Sequence, residues 1–270
     1  MILDQILEAK RIEVLRLKGE VPLGSLLDQL SGTEVVSFCE AMRRPDVNII
    51  AEIKYRSPSH GPFSCQDPPE QIARGYADNG AAAISILTDE AFFGGSLRFL
   101  QQVSDDFGGA EGQKGRVPLL RKDFIIDRYQ IVEARIAGAS AFLLIAACLA
   151  ADDLRGLLEA GREYGLDAVV EVHDSHELEA AVESGAKIIG VNNRDLRSFE
   201  VNVNTSFEIA REMEGESDYT LIAESGLSEL SLIRELRDAG FSAFLIGTAF
   251  MDSHDPAERL FQLLNGELSD

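Results

Sequence analysis

Five ionisable side chains stand where an apolar run gives way to a loop. Glu52 and Lys54 end the run IIAEIK, Lys122 ends VPLLRK, Glu171 lies near the end of DAVVEV, and Glu224 ends YTLIAE. Asn192 closes KIIGVN in the same way, and Ser225 follows Glu224 directly. Short runs rich in branched aliphatics read as buried strands, and a buried ion is costly unless it is paired. One Lys–Glu pair would satisfy a purely structural role, and five ionisable groups exceed that need. Burial and mutual pairing shift pKa values, which suits proton transfer. Two cations and three carboxylates can together hold an anion, donate a proton and accept one.

Such groups converge only if the strand ends converge. Eight runs recur along the chain: NIIAEI (48–53), AAISIL (82–87), VPLLRK (117–122), SAFLLIA (140–146), DAVVEV (167–172), KIIGVN (187–192), YTLIAE (219–224) and SAFLIG (242–247). Between them lie stretches with helical spacing, such as PEQIARGYADNG, DRYQIVEARIAGA and LSELSLIRELRDAG, with glycine near their ends as a C-cap signal. Strand–helix alternation repeated eight times predicts an α/β fold, a closed (β/α)8 TIM barrel. An open doubly wound sheet would need a glycine-rich phosphate turn after its first strand, whereas this strand runs into Lys-Tyr-Arg-Ser-Pro-Ser.

The expected organisation is a single barrel domain over 1–270, with an N-terminal helical extension over 1–47 and the barrel over 48–265. The extension (ILDQILEAKRIEVLRLK, PLGSLLDQL, SFCEAMRRP) is placed to cover one mouth. The segment 104–118 is expected to be a loop on the face away from the chemistry. Side chains two apart on a strand share a face, so Glu52 and Lys54 should point inward with Ile50, Lys122 with Leu120, and Glu224 with Ile222.

Loops after the seventh and eighth strands of such barrels often bind phosphate through backbone N–H groups. Here they read AESGLSE and IGTAFM. Gly226 and Gly247 permit close backbone approach, Ser225 and Thr248 add hydroxyls, and Ser57 in the loop after the first strand supplies a further donor, stiffened by Pro58.

The formal net charge is −21, with six lysines against nineteen arginines. This argues against nucleic acid or an anionic membrane as partner. No run approaches a transmembrane length, and the charged N-terminus lacks the features of a signal peptide. Cys39, Cys65 and Cys148 are odd in number and lack metal-site spacing, which suits a reduced, cytoplasmic compartment. His173 and His176, with Asp174 between them, read as loop and helix-start residues rather than metal ligands.

The motifs IAEIKYRSPSHG, LLRKDFIID, VVEVHD, IGVNNRDL, IAESGL and FLIGTAFM closely resemble the indole-3-glycerol-phosphate synthase family, over about residues 3–262. The resemblance implies a (β/α)8 barrel with an N-terminal helical segment. The implied reaction turns 1-(2-carboxyphenylamino)-1-deoxyribulose 5-phosphate into indole-3-glycerol phosphate, CO2 and water, with no metal or organic cofactor, in tryptophan biosynthesis. By the same resemblance Lys122 is the general acid for ring closure, and Glu171 serves acid–base steps around the hydroxyl and the dehydration. Lys54 holds carboxylate or phosphate and is a candidate to assist dehydration, the division of roles between the two lysines staying open. Glu52, Asn192 and Glu224 orient substrate hydroxyls and tune the lysines, with Ser225 beside them. Ser57, Gly226, Gly247 and Thr248 map to phosphate binding, and Arg194 to the anionic side of the substrate. Phe93, Phe124, Leu144 and Leu196 map to the pocket for the aromatic ring. The implied partner is thus a small anionic phosphate substrate, handled by a monomer or weak homo-oligomer.

Departures from the family pattern are small. His60 stands where lysine is common, Thr248 where serine is usual, and Gly94 where a polar residue is common. A phosphoribosylanthranilate isomerase, which needs one acid and one base, would leave two lysines and three carboxylates unexplained. A non-catalytic descendant would have lost Lys54, Lys122 or Glu171, and all three are present.

Overall fold

The computed structural model describes residues 2–30, 35–108 and 117–266. Strands form at the eight apolar runs: β1 (Asn48–Ile53), β2 (Ala83–Leu87), β3 (Leu119–Lys122), β4 (Ala141–Ile145), β5 (Asp167–Val172), β6 (Ile188–Asn192), β7 (Thr220–Glu224) and β8 (Ala243–Ile246). Each pairs in parallel with its neighbours in sequence. β8 returns to β1, from Asn48↔Ala243 to Ala51↔Ile246, and closes the expected (β/α)8 barrel. Closure leaves no unpaired strand edge.

Strand alternation decides what each face meets. Ile50, Leu120, Ala141, Leu143, Val169, Ile188, Ile222, Ala243 and Leu245 form one buried cluster inside the barrel. Ile49, Ala51, Ile84, Phe142, Val170, Ile189 and Phe244 belong to a second cluster between strands and helices.

The extension folds as α1 (Ile2–Glu20), α2 (Leu23–Leu27) and α3 (Phe38–Met42). Around the barrel follow α4 (Pro69–Asp78), α5 (Glu90–Phe93), α6 (Leu97–Gly108), α7 (Arg128–Ile136), α8 (Ala151–Tyr164), α9 (Ser175–Glu183), α10 (Asn204–Glu212), α11 (Leu230–Asp238), α12 (Thr248–Met251) and α13 (Pro256–Asn265). Several starts are fixed by aspartates that accept orphan backbone N–H groups: Asp127 from Tyr129, Asp174 from Glu177, and Asp255 from Ala257 and Glu258. α8 stops at Gly165, whose left-handed φ of 69° suits a glycine C-cap.

The segment 104–118 corrects one expectation. Its first residues are helical, because Leu97, Leu100, Val103 and Phe107 keep helical spacing against the core and carry α6 to Gly108. Residues 109–116 lie outside the described residues.

The extension serves both ends of the barrel rather than one. Phe38, Ala41 and Met42 of α3 pack into the interior cluster at the N-terminal ends of the strands. There the Cys39 backbone N–H donates to Asp167 at the start of β5, and Arg43 Nε donates to Thr220 at the start of β7. At the other end Lys10 of α1, 1% exposed, meets Asp89 at 3.2 Å and Asp123 at 2.9 Å, just past the ends of β2 and β3.

Candidate active site

The C-terminal ends of the strands enclose a cavity of about 400 Å³. Glu52, Lys54, Lys122, Glu171, Asn192, Glu224, Ser225, Ser57, Arg194, Gly226, Gly247, Thr248, Phe93, Phe124 and Leu196 all line it. The inward parity expected from Ile50, Leu120 and Ile222 therefore places the charged groups together.

Lys122 sits between two carboxylates, with Nζ 3.1 Å from Glu171 Oε2 and 3.1 Å from Glu224 Oε2. Lys54 makes a separate pair with Glu52 at 2.7 Å, and its ammonium lies 5.1 Å from the centre of the Phe63 ring. Asn192 ties Glu171 to the loops after β6 and β7: its Nδ2 donates to Glu171 Oε1 at 3.0 Å, while its Oδ1 accepts from Ser225 Oγ at 2.8 Å and from the Arg194 N–H at 3.0 Å. Ser225 takes up this position with φ 65°, a conformation uncommon outside glycine.

The carboxylates fit because the strands beside them carry no side chain at the facing position. A Cβ on Gly190 would collide with Glu224 Oε1, and one on Gly247 with Glu52 Oε1. Gly190 was not foreseen in this role. Its signal was a glycine inside an otherwise branched strand, which marks close approach of another group.

Burial and pairing pull the three groups around Lys122 apart in pKa. Burial opposes the charge on Lys122, but Glu224, Glu171 and Glu52 more than offset it and hold the ammonium above its ordinary range. Burial also opposes the charge on Glu171, yet Lys122, His173 and Asn192 bring it well below the usual carboxylate range. Glu224 is pushed up to about 7, chiefly by burial, with repulsion from Glu171 adding to it and Lys122 opposing. The cavity thus presents an ammonium, an ionised carboxylate and a carboxyl that titrates near neutrality, a combination able to donate and accept protons in sequence.

At the rim, Arg56–Ser57 and Gly61–Pro62 pair as a short hairpin whose tip, Pro58 to His60, borders the cavity opposite Gly226, Gly247 and Thr248. Arg56 ties one side to the carbonyls of Glu90 and Ala91. His60 ties the other to Asp252 at 3.0 Å and stacks on Phe63. The Arg194 guanidinium donates to the Phe199 carbonyl at 2.9 Å, which folds the loop after β6 over the cavity.

The apolar wall needs one correction. Phe93 and Phe124 face each other with ring centres 6.0 Å apart, and Leu196 stands nearby. Leu144 does not join them. It points outward into the cluster beneath the helices, because it alternates with Leu143 and Ile145, which are the residues of β4 that line the cavity. The same parity from Ala141 was available in the sequence. Lys10 braces this wall: Asp89 accepts the backbone N–H groups of Phe92 and Phe93, and Asp123 accepts that of Phe124. His173, read from sequence as a loop residue, lies against Glu171 at 3.3 Å and Glu177 at 2.9 Å.

Comparison with known proteins places these features in a family. A family model described as indole-3-glycerol phosphate synthase matches residues 3–263. The chain is 45% identical over 249 residues to the indole-3-glycerol phosphate synthase of Chlorobium chlorochromatii, covering 91% of this chain and 93% of the relative. It is 38% identical over 272 residues to that of Carboxydothermus hydrogenoformans, covering 98% and 100%. Among solved structures, a mutant tryptophan synthase α-subunit from Pyrococcus furiosus superposes with a TM-score of 0.61 at 15% identity, over 82% of this chain and 98% of that one. A thiamine phosphate pyrophosphorylase from Pyrococcus furiosus gives a TM-score of 0.58 at 13% identity, over 84% and 99%. The two structures share the fold, and the sequence matches run over nearly the whole chain: the chain belongs to the indole-3-glycerol phosphate synthase family.

Proposed function

We propose that the cavity closes the indole ring of the family's substrate with Lys122 as general acid. The observation that carries this reading is the position of Lys122, a cation held between Glu171 and Glu224 at the floor of the cavity. As the aromatic carbon attacks the ketone, the Lys122 ammonium protonates the developing alkoxide. Loss of CO2 then restores aromaticity, and the hydroxyl leaves as water. Glu171 receives and returns protons around that hydroxyl and the ring N–H. Lys54 holds the substrate carboxylate or phosphate. Glu52, Asn192 and Glu224 orient the substrate hydroxyls, and Ser225 fixes Asn192.

The phosphate is assigned to Ser57, Gly226, Gly247 and Thr248, all of which line the cavity. Arg194 faces the anionic side. The aromatic ring is assigned to Phe93, Phe124 and Leu196 together with Leu143 and Ile145. The proposed partner is a small phosphate ester, handled by a monomer or weak homo-oligomer. Three free cysteines support a reducing, cytoplasmic setting.

The chain contains no tryptophan, so indole formation is followed by fluorescence on a low background. The protein should produce that signal from the carboxyphenylamino substrate. Lys122→Ala should keep its fold and lose at least roughly a hundredfold in turnover. A near-native rate in that variant would remove Lys122 from the mechanism.

A further inference from the structure

Glu171 has a second cation behind it. His173, just past the end of β5, places Nε2 3.3 Å from Glu171 Oε1, an ion-pair contact without hydrogen-bond alignment, on the carboxylate oxygen that Lys122 does not touch. His173 is not part of the cavity lining. Its Nδ1 lies 2.9 Å from Glu177 Oε2, and its own backbone N–H donates to the same oxygen at 2.9 Å. Glu177 is itself fixed, because its backbone N–H is capped by Asp174 at the start of α9.

The three side chains form a graded line from surface to floor: Glu177 is 19% exposed, His173 13% and Glu171 3%. An imidazole pinned at Nδ1 by a carboxylate and by the first turn of a helix cannot rotate away from Glu171. A loop histidine with only a packing role would not need a carboxylate at each nitrogen.

We propose that His173, clamped by Glu177, is a positioning residue that holds Glu171 aimed at Lys122 and Asn192. The proposal rests on the acid–base role assigned to Glu171 above and adds the residues that set it. Burial opposes the charge on His173, but the carboxylates of Glu171 and Glu177 outweigh it and carry the imidazolium up to about 10. The other titratable group between the same elements is Cys148, in the turn after β4. Burial first and then Glu171 and Glu177 push its thiol up to about 12, so it stays neutral and adds no competing charge. From the cavity side Lys122 attracts Glu171, and Glu224, on the same ammonium, repels it. With two cations on one carboxylate, removing the rear one leaves Glu171 both less anchored and easier to protonate.

The test is the separation of kcat from KM for His173→Asn and Glu177→Gln in the full chain, with circular dichroism to verify folding. Asparagine keeps a donor near Glu171 without the charge. In His173→Asn kcat near neutrality should fall about tenfold with KM within about twofold, as expected when a base is mispositioned while substrate binding stays intact. Glu177→Gln should lower kcat by less, with KM equally unmoved. A native kcat in both folded variants would overturn the proposal. If Glu171→Gln itself retains native turnover, the role of Glu171 fails, and that outcome is read separately from the histidine variants.

Discussion

Glu224 is a carboxyl held near its own titration at neutral pH. Its folded value of about 7 stands above the ordinary 4.5, chiefly because the side chain is buried. Between those values the native chain holds a proton that the unfolded chain releases, so this group's contribution to stability is lost as pH rises through that window. Glu171 has the opposite sign: its lowered value contributes stability above 4.5 that is lost as pH falls. Glu224→Gln should therefore gain stability relative to the native chain at pH 8 more than at pH 5, by roughly 1–3 kcal/mol, in urea titrations at both pH values. Parallel changes at the two pH values would contradict the assignment. At this scale the sequence was legible where parity decides the answer. Glu52, Lys122 and Glu224 could be aimed inward from Ile50, Leu120 and Ile222, whereas Leu144 was read one residue out of phase. His173 lies just past the strand that carries Glu171, its partner Glu177 lies on the following helix, and no rule of strand alternation joins the two.

The element that decides the shape of the aromatic wall is α1. Its Lys10 bridges the residues that cap the N–H groups of Phe93 and Phe124, and Asp123 is held in turn by Thr88 at 2.6 Å and Arg121 at 3.2 Å. Removing Lys10 takes away the cation that Asp89 and Asp123 share and leaves Asp123 with Arg121. Lys10→Met, which keeps the length of the side chain, should cost about 3–5 kcal/mol of stability. It should also raise KM, because two rings lose the brace that fixes their separation. Equilibrium unfolding and steady-state kinetics on the same preparation check both, and a loss below about 1 kcal/mol would show that the cluster relaxes around the change. The sequence announced α1 as a charged amphipathic helix, yet nothing local singles out Lys10 from Lys18. Burial of one lysine beside two loop aspartates is a tertiary outcome, and only the packed chain reveals it. The strands were plainer, since eight short branched runs alternating with helical stretches leave few other closed arrangements.

Across the whole molecule a charge of −21 faces a substrate that carries a carboxylate and a phosphate. Long-range repulsion opposes encounter, and Lys54, Lys122 and Arg194 are the cations that line the cavity to meet those anions. Salt screens the distant charges first, because the Debye length is about 10 Å at 0.1 M. kcat/KM should therefore hold or rise as salt increases to about that level. A steep monotonic fall from low salt upward would refute this. The same scale bears on how the extension wraps the barrel, with α3 plugging the strand starts and α1 bracing the strand ends. A protein engineer who moved this chemistry into another barrel by transplanting residues 48 onward would carry every strand-end group across and still leave Asp89 and Asp123 buried without their shared cation. The transferable module is the barrel rim together with the helix that precedes it. Recombination breakpoints placed between α1 and β1 should yield chimaeras with a correctly threaded barrel and a loosened ring pocket.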